Sequence, residues 1–233
     1  MTTKAQQTLL SAEHIVFMTG AGVSTPSGIP DYRSRNGLYT GHHNAEYYLS
    51  HAYLESDPIG FYHYLKENLY HPEAKPNVIH EKMAALTQRG QAGVITQNID
   101  NLYQVAETKN LVEFHGNLYQ VYCTQCGQAV PWADYLKSPY HTTDHGYLRP
   151  NVVLYDEGIN QQNVDRSLAL LRQADLVVIC GTSFRVYPFA GLIDYRATDA
   201  KVMAINEEPL QLPFDFEMVQ LNAVEFFEGL TLT

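Results

Sequence analysis

Four groups of residues in this chain have types and spacings suited to chemistry. Gly20-Ala21-Gly22 follows the apolar run His14-Ile15-Val16-Phe17-Met18 and leads through Gly28 to Asp31-Tyr32-Arg33-Ser34. A strand running into a Gly-x-Gly turn lets backbone N–H groups approach a pyrophosphate, and a helix N-terminus favours its charge. Gly28 comes late for the usual dinucleotide fingerprint. Asn98 and Asp100 follow a second apolar run. In extended geometry they face one side, whereas at a helix start such residues serve as caps. His115 precedes Gly116 in a polar turn. An imidazole with a pKa near 6.5 suits proton transfer near neutrality, although a hydrogen-bonded surface histidine is the commoner use of the residue. Cys123 and Cys126 have the spacing of a metal-binding pair.

The elements that must position these groups are short and apolar. Runs at 14–19, 92–96, 175–181, 201–206 and 217–221 are rich in β-branched residues and end in glycine or polar residues. Helical patterns at 79–89, 163–174 and 222–230 lie between them. This alternation predicts an α/β fold, a Rossmann-like doubly wound parallel sheet whose ligands sit beyond the carboxyl ends of the strands. Thr19-Gly20, Gln97-Asn98, Gly181-Thr182 and Asn206 all fall at such ends. Two inserts, helical at 41–75 and built of short strands at 121–148, are expected to form a smaller domain, leaving 1–40, 76–120 and 149–233 to the sheet domain. Cys180 sits in an apolar run and reads as inert core.

With 233 residues the chain can bury an ample core. Its net charge of −10 argues against nucleic acid or an anionic membrane as main partner and suits a lysine-bearing one. Three cysteines and a polar stretch at 1–13, without the regions of a signal peptide, lead to the expectation of a cytoplasmic monomer. No apolar run approaches the roughly 20 residues needed to span a bilayer.

The glycine turn is joined, in order, by Thr96-Gln97-Asn98-Ile99-Asp100-Asn101-Leu102, His115-Gly116, Arg149-Pro150-Asn151-Val152-Val153-Leu154-Tyr155 and Gly181-Thr182-Ser183 with Val186 and Pro188. These blocks resemble the sirtuins, NAD-dependent protein lysine deacylases, over residues 8 to 230. The resemblance implies NAD as cofactor, contacted by Gly20, Ala21, Gly22, Thr25, Tyr32, Arg33, Gln97, Asn98, Ile99, Asp100, Thr182, Ser183 and Asn206. Arg33 would grip phosphate as a planar fork, or else pair with Asp31. Tyr32 stands where the family usually has Phe. His115, Asn98 and Asp100 are implied as the catalytic set. In the implied reaction the acyl-lysine oxygen attacks the anomeric carbon, nicotinamide leaves, and His115 helps deprotonate a ribose hydroxyl. The acyl group ends on ADP-ribose and lysine is freed. Two alternatives are a protein ADP-ribosyltransferase, whose family branch departs at the catalytic histidine retained here, and a non-catalytic NAD or ADP-ribose sensor.

Val153, Tyr155 and Val186 are the implied contacts to an acyl-lysine protein or peptide, which would add to the enzyme as a strand. Asp156 replaces the glycine of the family's Phe-Gly-Glu, a position where Asp tolerates positive φ better than most residues. Tyr62-His63-Tyr64-Leu65 lacks the Arg that the desuccinylase branch carries at its fourth place, so short neutral acyl groups such as acetyl are expected. The family's structural zinc uses two Cys-x-x-Cys pairs. Here the second pair is replaced by His141 and Asp144, with His145 adjacent. The small module is then zinc-ribbon-like, with zinc on Cys123, Cys126, His141 and Asp144 or on a Cys₂-His₂ set. Otherwise it is metal-free and held by the packing of Tyr119, Tyr122, Trp132, Tyr135, Tyr140 and Tyr147.

Overall fold

A computed structural model of the chain describes residues 3–31 and 45–232, so Tyr32 and Arg33 lie outside the described residues. In chain order the strands are β1 (Ile15–Thr19), β2 (Ala92–Thr96), β3 (Leu111–Glu113), β4 (Gly116–Cys123), β5 (Ala129–Pro131), β6 (Leu148–Val152), β7 (Leu176–Cys180), β8 (Lys201–Asn206) and β9 (Glu217–Gln220). The helices are α1 (Lys4–Ser11), α2 (Ala45–Tyr48), α3 (His51–Ser56), α4 (Pro58–Asn68), α5 (Val78–Gln88), α6 (Leu102–Val105), α7 (Trp132–Tyr135), α8 (Gln161–Gln173) and α9 (Ala223–Glu228).

Six strands form one parallel sheet in the order β3-β2-β1-β7-β8-β9. Every residue of β1, β2 and β7 is buried, which is why these runs carry no polar alternation. On one face Ile15 and Phe17 pack with Leu9 of α1, Met83 of α5 and Phe227 of α9. On the other, Val16 and Met18 pack with Leu171 of α8 and with Leu192. The chain steps from β1 outward to β2 and β3, then returns to lay β7 on the opposite side of β1. The strand order therefore reverses between β1 and β7, where an open α/β sheet leaves a crevice for ligands.

β5, β4 and β6 form a small antiparallel sheet. Its core draws Phe61 and Leu65 from α4, Leu118 and Val121 from β4, Tyr135 from α7 and Leu148 from β6. Aromatic edges tie it together, with Tyr62 to Tyr135 at 5.1 Å between ring centroids and Tyr119 to Trp132 at 5.1 Å. β4 begins at Gly116 and β6 ends at Val152, so this sheet reaches past the 121–148 insert on both sides.

Two elements of the main domain carry weak sequence signals. β3 is three residues long, and α1 is mostly polar. α1 is started by a capping box between Thr3 and Gln6 and anchored by fully buried Leu9.

Gly116 joins the two sheets at φ 81°, and a Cβ there would overlap the Asn151 carbonyl oxygen across the β4–β6 pairing. Gly116→Ala is expected to cost about 3 kcal/mol, a fall in Tm on the order of 6–12 °C. A melting curve within 2 °C of the parent, on the scale of roughly 2–4 °C per kcal/mol, would contradict that reading.

Candidate active site

A cleft of about 640 Å³ runs along the carboxyl ends of the parallel strands, a size usual for cofactor sites. The turn after β1 contributes Gly20, Ala21, Gly22 and Thr25 to its wall. Gln97, Asn98 and Ile99 come from the loop after β2, and His115 from the turn after β3. Thr182, Ser183 and Val186 follow β7, Asn206 ends β8, and Val153 and Tyr155 follow β6. Asp100 faces an adjoining cavity of about 30 Å³ that shares Ala21, Asn98 and Ile99 with the cleft. Apart from Tyr32 and Arg33, the residues singled out for cofactor, substrate and catalysis therefore meet at one place.

The glycines of the first turn make this possible by close approach. Gly22 donates its N–H to the Gly181 carbonyl oxygen at 2.8 Å, and a Cβ on Gly22 would stand 2.8 Å from the same oxygen. Two short 3-10 turns, Ala21–Val23 and Thr25–Ser27, then carry the chain across the cleft.

Asn98 and Asp100 are aimed by one hydroxyl. Ser24 donates to Asp100 Oδ2 at 2.6 Å and accepts from Asn98 Nδ2 at 3.0 Å. Asn98 Nδ2 also donates to the Gly20 carbonyl at 3.1 Å. Behind Ser24 lies fully buried His80, whose Nδ1 accepts from the Asn77 N–H at 3.4 Å. The proton is thereby placed on Nε2, 3.5 Å from Ser24 Oγ. Burial pulls the His80 pKa down to about 4, so it is a neutral donor. The hydroxyl takes two donors in and gives its one proton to Asp100. The carboxylate's other oxygen, Oδ1, accepts from Leu102 N–H at 3.0 Å, so Asp100 caps α6 as well as facing the cavity. Burial raises the Asp100 pKa, and the bonds from Ser24 and Leu102 pull it partly back.

His115 is held with its Nδ1 3.3 Å from the Gln97 carbonyl. A carbonyl only accepts, so Nδ1 carries the proton and Nε2 keeps its lone pair. Burial lowers the His115 pKa, favouring the neutral base. Gln97 reaches the other side of the cleft, donating from Nε2 to Thr182 Oγ1 at 3.2 Å.

The substrate-side loop is braced from the helical insert and from β6 of the small sheet. Glu157 binds Arg149 Nη2 at 2.6 Å, His51 Nδ1 at 2.8 Å and the Leu154 N–H at 3.0 Å. Tyr155 gives its N–H to Leu49 and its carbonyl to His51, so its half-exposed ring is what it offers the cleft. Asp156 adopts φ 72°, the left-handed conformation expected at this position from its resemblance to Phe-Gly-Glu.

The ligand atoms of Cys123, Cys126, His141 and Asp144 all lie within 4.8 Å of one another, with Cys126 Sγ 3.7 Å and Asp144 Oδ1 3.0 Å from His141 Nδ1. Tetrahedral zinc holds neighbouring S, N and O donors roughly 3.3–3.8 Å apart, so this donor set fits the ion. His145 is not among the clustered groups. Cys180 is buried, its thiol pushed up to about 12 by burial.

Sequence reasoning missed Ser24 and His80. A serine inside a glycine-rich loop and one histidine among ten carry no pattern of their own. The only available hint was the Asn77/His80 capping box at the start of α5.

A family model described as the Sir2 family matches residues 20–188. An NAD-dependent protein deacetylase of Lactiplantibacillus plantarum is 76% identical over 97% of each chain. One from Listeria monocytogenes serotype 4b is 53% identical over 96% of this chain and 98% of its own. Among solved structures, a Sir2 protein with a p53 peptide and NAD+ matches with TM-score 0.83 and 33% identity, over 98% of this chain and 96% of its own. A Sir2 histidine-to-alanine variant with deacetylated p53 peptide and 3′-O-acetyl ADP-ribose matches with TM-score 0.86 and 32% identity, over 98% and 97%.

Ser24→Ala removes the donor to a buried carboxylate, a loss of about 1.5–3 kcal/mol of stability near neutral pH. The same change raises the Asp100 pKa further, because the Ser24 bond acts to lower it. Denaturant melts and NMR titration of the carboxyl test both effects. An Asp100 titration that does not move would remove Ser24 from this role.

Proposed function

The chain belongs to the Sir2 family and is an NAD-dependent protein deacetylase, and from that premise we propose how its residues divide the work. The single observation that supports this division is the meeting of Gly20–Gly22, Asn98 and His115 on one cleft. When bound, NAD supplies an activated glycosidic bond and a ribose hydroxyl that receives the acyl group. The glycine turn and Thr25 hold the pyrophosphate side, with Arg33 as a further ligand. Thr182, Ser183 and Asn206 hold the adenosine side, and Gln97 the nicotinamide ribose.

Asp100 and the Ile99 backbone receive the carboxamide. Asn98 spends its Nδ2 on Gly20 and Ser24, which leaves Oδ1 to orient ribose hydroxyls. His115 takes a proton from a ribose hydroxyl on Nε2, while Nδ1–H stays on the Gln97 carbonyl. Val153, Tyr155 and Val186 enclose the acyl-lysine, whose peptide adds to the loop as a strand. Tyr62 points its hydroxyl to the Leu136 carbonyl at 3.0 Å, in the core of the small module, and Leu65 is fully buried. Neither offers a carboxylate-binding group, which supports acetyl over succinyl. Zinc on Cys123, Cys126, His141 and Asp144 would supply a crosslink between the two ends of the ribbon.

His115→Ala is expected to abolish deacetylation with NAD binding largely intact. The test is NAD-dependent turnover on acetyl-, propionyl- and succinyl-lysine peptides, with mass detection of the acylated ADP-ribose. Unchanged turnover in the variant would remove His115 from the mechanism.

The base must be neutral to act, and burial depresses its pKa. The rate therefore holds its plateau down through the ordinary histidine value of about 6.5 and falls only below it. An acid limb centred above that value would contradict the assignment.

Purified protein is expected to carry about one equivalent of zinc, on the logic of four-ligand structural sites. Cys123→Ala should lower both the zinc content and the Tm. Less than about a tenth of an equivalent would favour the metal-free reading, since such sites bind tightly.

A further inference from the structure

His115 and Asp100 arrive from different crossings of the sheet, one after β3 and one after β2, yet they must act on the same bound molecule. Backbone bonds give part of their registration: Phe114 N–H to the Thr96 carbonyl at 2.9 Å and Leu118 N–H to the Ile99 carbonyl at 2.9 Å. One side chain bridges the two segments. Asn117 is fully buried, and its Nδ2 donates one hydrogen to Asn101 Oδ1 at 2.9 Å and the other to Glu113 Oε1 at 2.6 Å. Its Oδ1 accepts from the Tyr119 N–H at 2.8 Å. Glu113 in turn accepts on Oε2 from Gln104 of α6 at 3.0 Å. The network thus closes from the end of β3, through β4, to the helix that Asp100 caps.

Asn101 shows what the bridge does locally. It sits directly after Asp100 at φ 68°, ψ 0°, and it starts α6 without a side-chain cap bond of its own. Its amide oxygen is given to Asn117 instead, and the capping is done by Asp100. Across the left-handed turn at Asn101 the Leu102 N–H comes back to Asp100 Oδ1.

We propose that Asn117, anchored on Glu113 and acting through Asn101, is a positioning residue that fixes His115 and Asp100 relative to each other. It touches neither the cofactor cleft nor the substrate loop. This role rests on the assignment of His115 and Asp100 made above. Displacements near 1 Å in such a constellation cost on the order of a hundredfold in rate.

The test uses three changes in the full chain. Asn101→Gly keeps the positive φ, which glycine adopts freely, and deletes the bridge. It is expected to lower kcat for nicotinamide release about tenfold or more, with KM for NAD within about threefold, while the Asn117 hydrogen left without its acceptor lowers the melting temperature by roughly 2–8 °C and the protein stays folded. Asn117→Asp sets a second carboxylate against Glu113 and should be at least as damaging. Combining it with Glu113→Gln restores a donor–acceptor pair with its polarity reversed, and Asn101 can turn its amide to match. Recovery of kcat to within about fivefold of the parent is expected in the pair.

A second readout is the NMR titration of the His115 imidazole. In Asn101→Gly it should shift toward the ordinary histidine value as the Gln97 loop loosens, and a merely structural bridge would leave it in place. Parent-like kcat in Asn101→Gly would overturn the proposal. So would a folded Asn117→Asp, Glu113→Gln pair no faster than Asn117→Asp alone. His115→Ala is run alongside: if it is inactive while Asn101→Gly is not, only the positioning role fails. If His115→Ala is fully active, the catalytic assignment beneath it fails.

Discussion

The hydrogen bond from Gly22 N–H to the Gly181 carbonyl, 2.8 Å across the reversal between β1 and β7, is the contact around which the cleft is built. It brings two loops to backbone-to-backbone distance, closer than any side chain at Gly22 would allow. That approach places Ser24 beneath the turn, and Ser24 then aims Asn98 and Asp100 with a single hydroxyl. The parallel sheet supplies the rest. Strand ends that are adjacent in space deliver Gln97, His115 and Thr182 to the same rim, with no one of them near another in sequence by more than the strand order dictates.

Polar groups in this site work in a setting of low solvent access, and their charge states follow from it. Burial favours neutral forms, so the imidazoles of His80 and His115 are kept uncharged and the carboxyls of Asp100 and Glu113 are pushed upward. Among the described residues each carboxylate is bound by neutral donors: Ser24 and Leu102 for Asp100, Asn117 and Gln104 for Glu113. Directional dipoles of this kind hold orientation without the strong field of an ion pair, which suits a site that must later accept a change of charge in its ligand.

Much of this was legible in the chain because burial on both faces leaves an unmistakable signature. The β1, β2 and β7 runs are apolar throughout, and their ends announce where polar residues must gather. The glycine turn and Asn98 could be read from that position, whereas the roles of Asp100 and His115 came only from their resemblance to an ordered set of sirtuin blocks. The two readings of Asp100, helix cap and cavity wall, turned out to be compatible because its two oxygens face different partners. Ser24, His80 and Asn117 were not legible, since their roles depend on which distant segments fold against them. The same is true of the ribbon. Sequence left His145 open as a ligand beside His141 and Asp144, and only the turn at 141–145 separates it from the clustered donors. β3, at three residues, is too short to show a period.

Glu157 ties together parts of the chain that lie far apart in sequence: Arg149 at the edge of the small sheet and His51 at the start of α3. The helical insert and the ribbon also share one apolar core. Thermodynamically they are therefore a single cooperative unit, in which loosening either insert withdraws support from the other. Unfolding of this unit would free the loop at 152–157 even with the parallel sheet intact, so the substrate side of the cleft depends on a core separate from the one that carries the glycine turn.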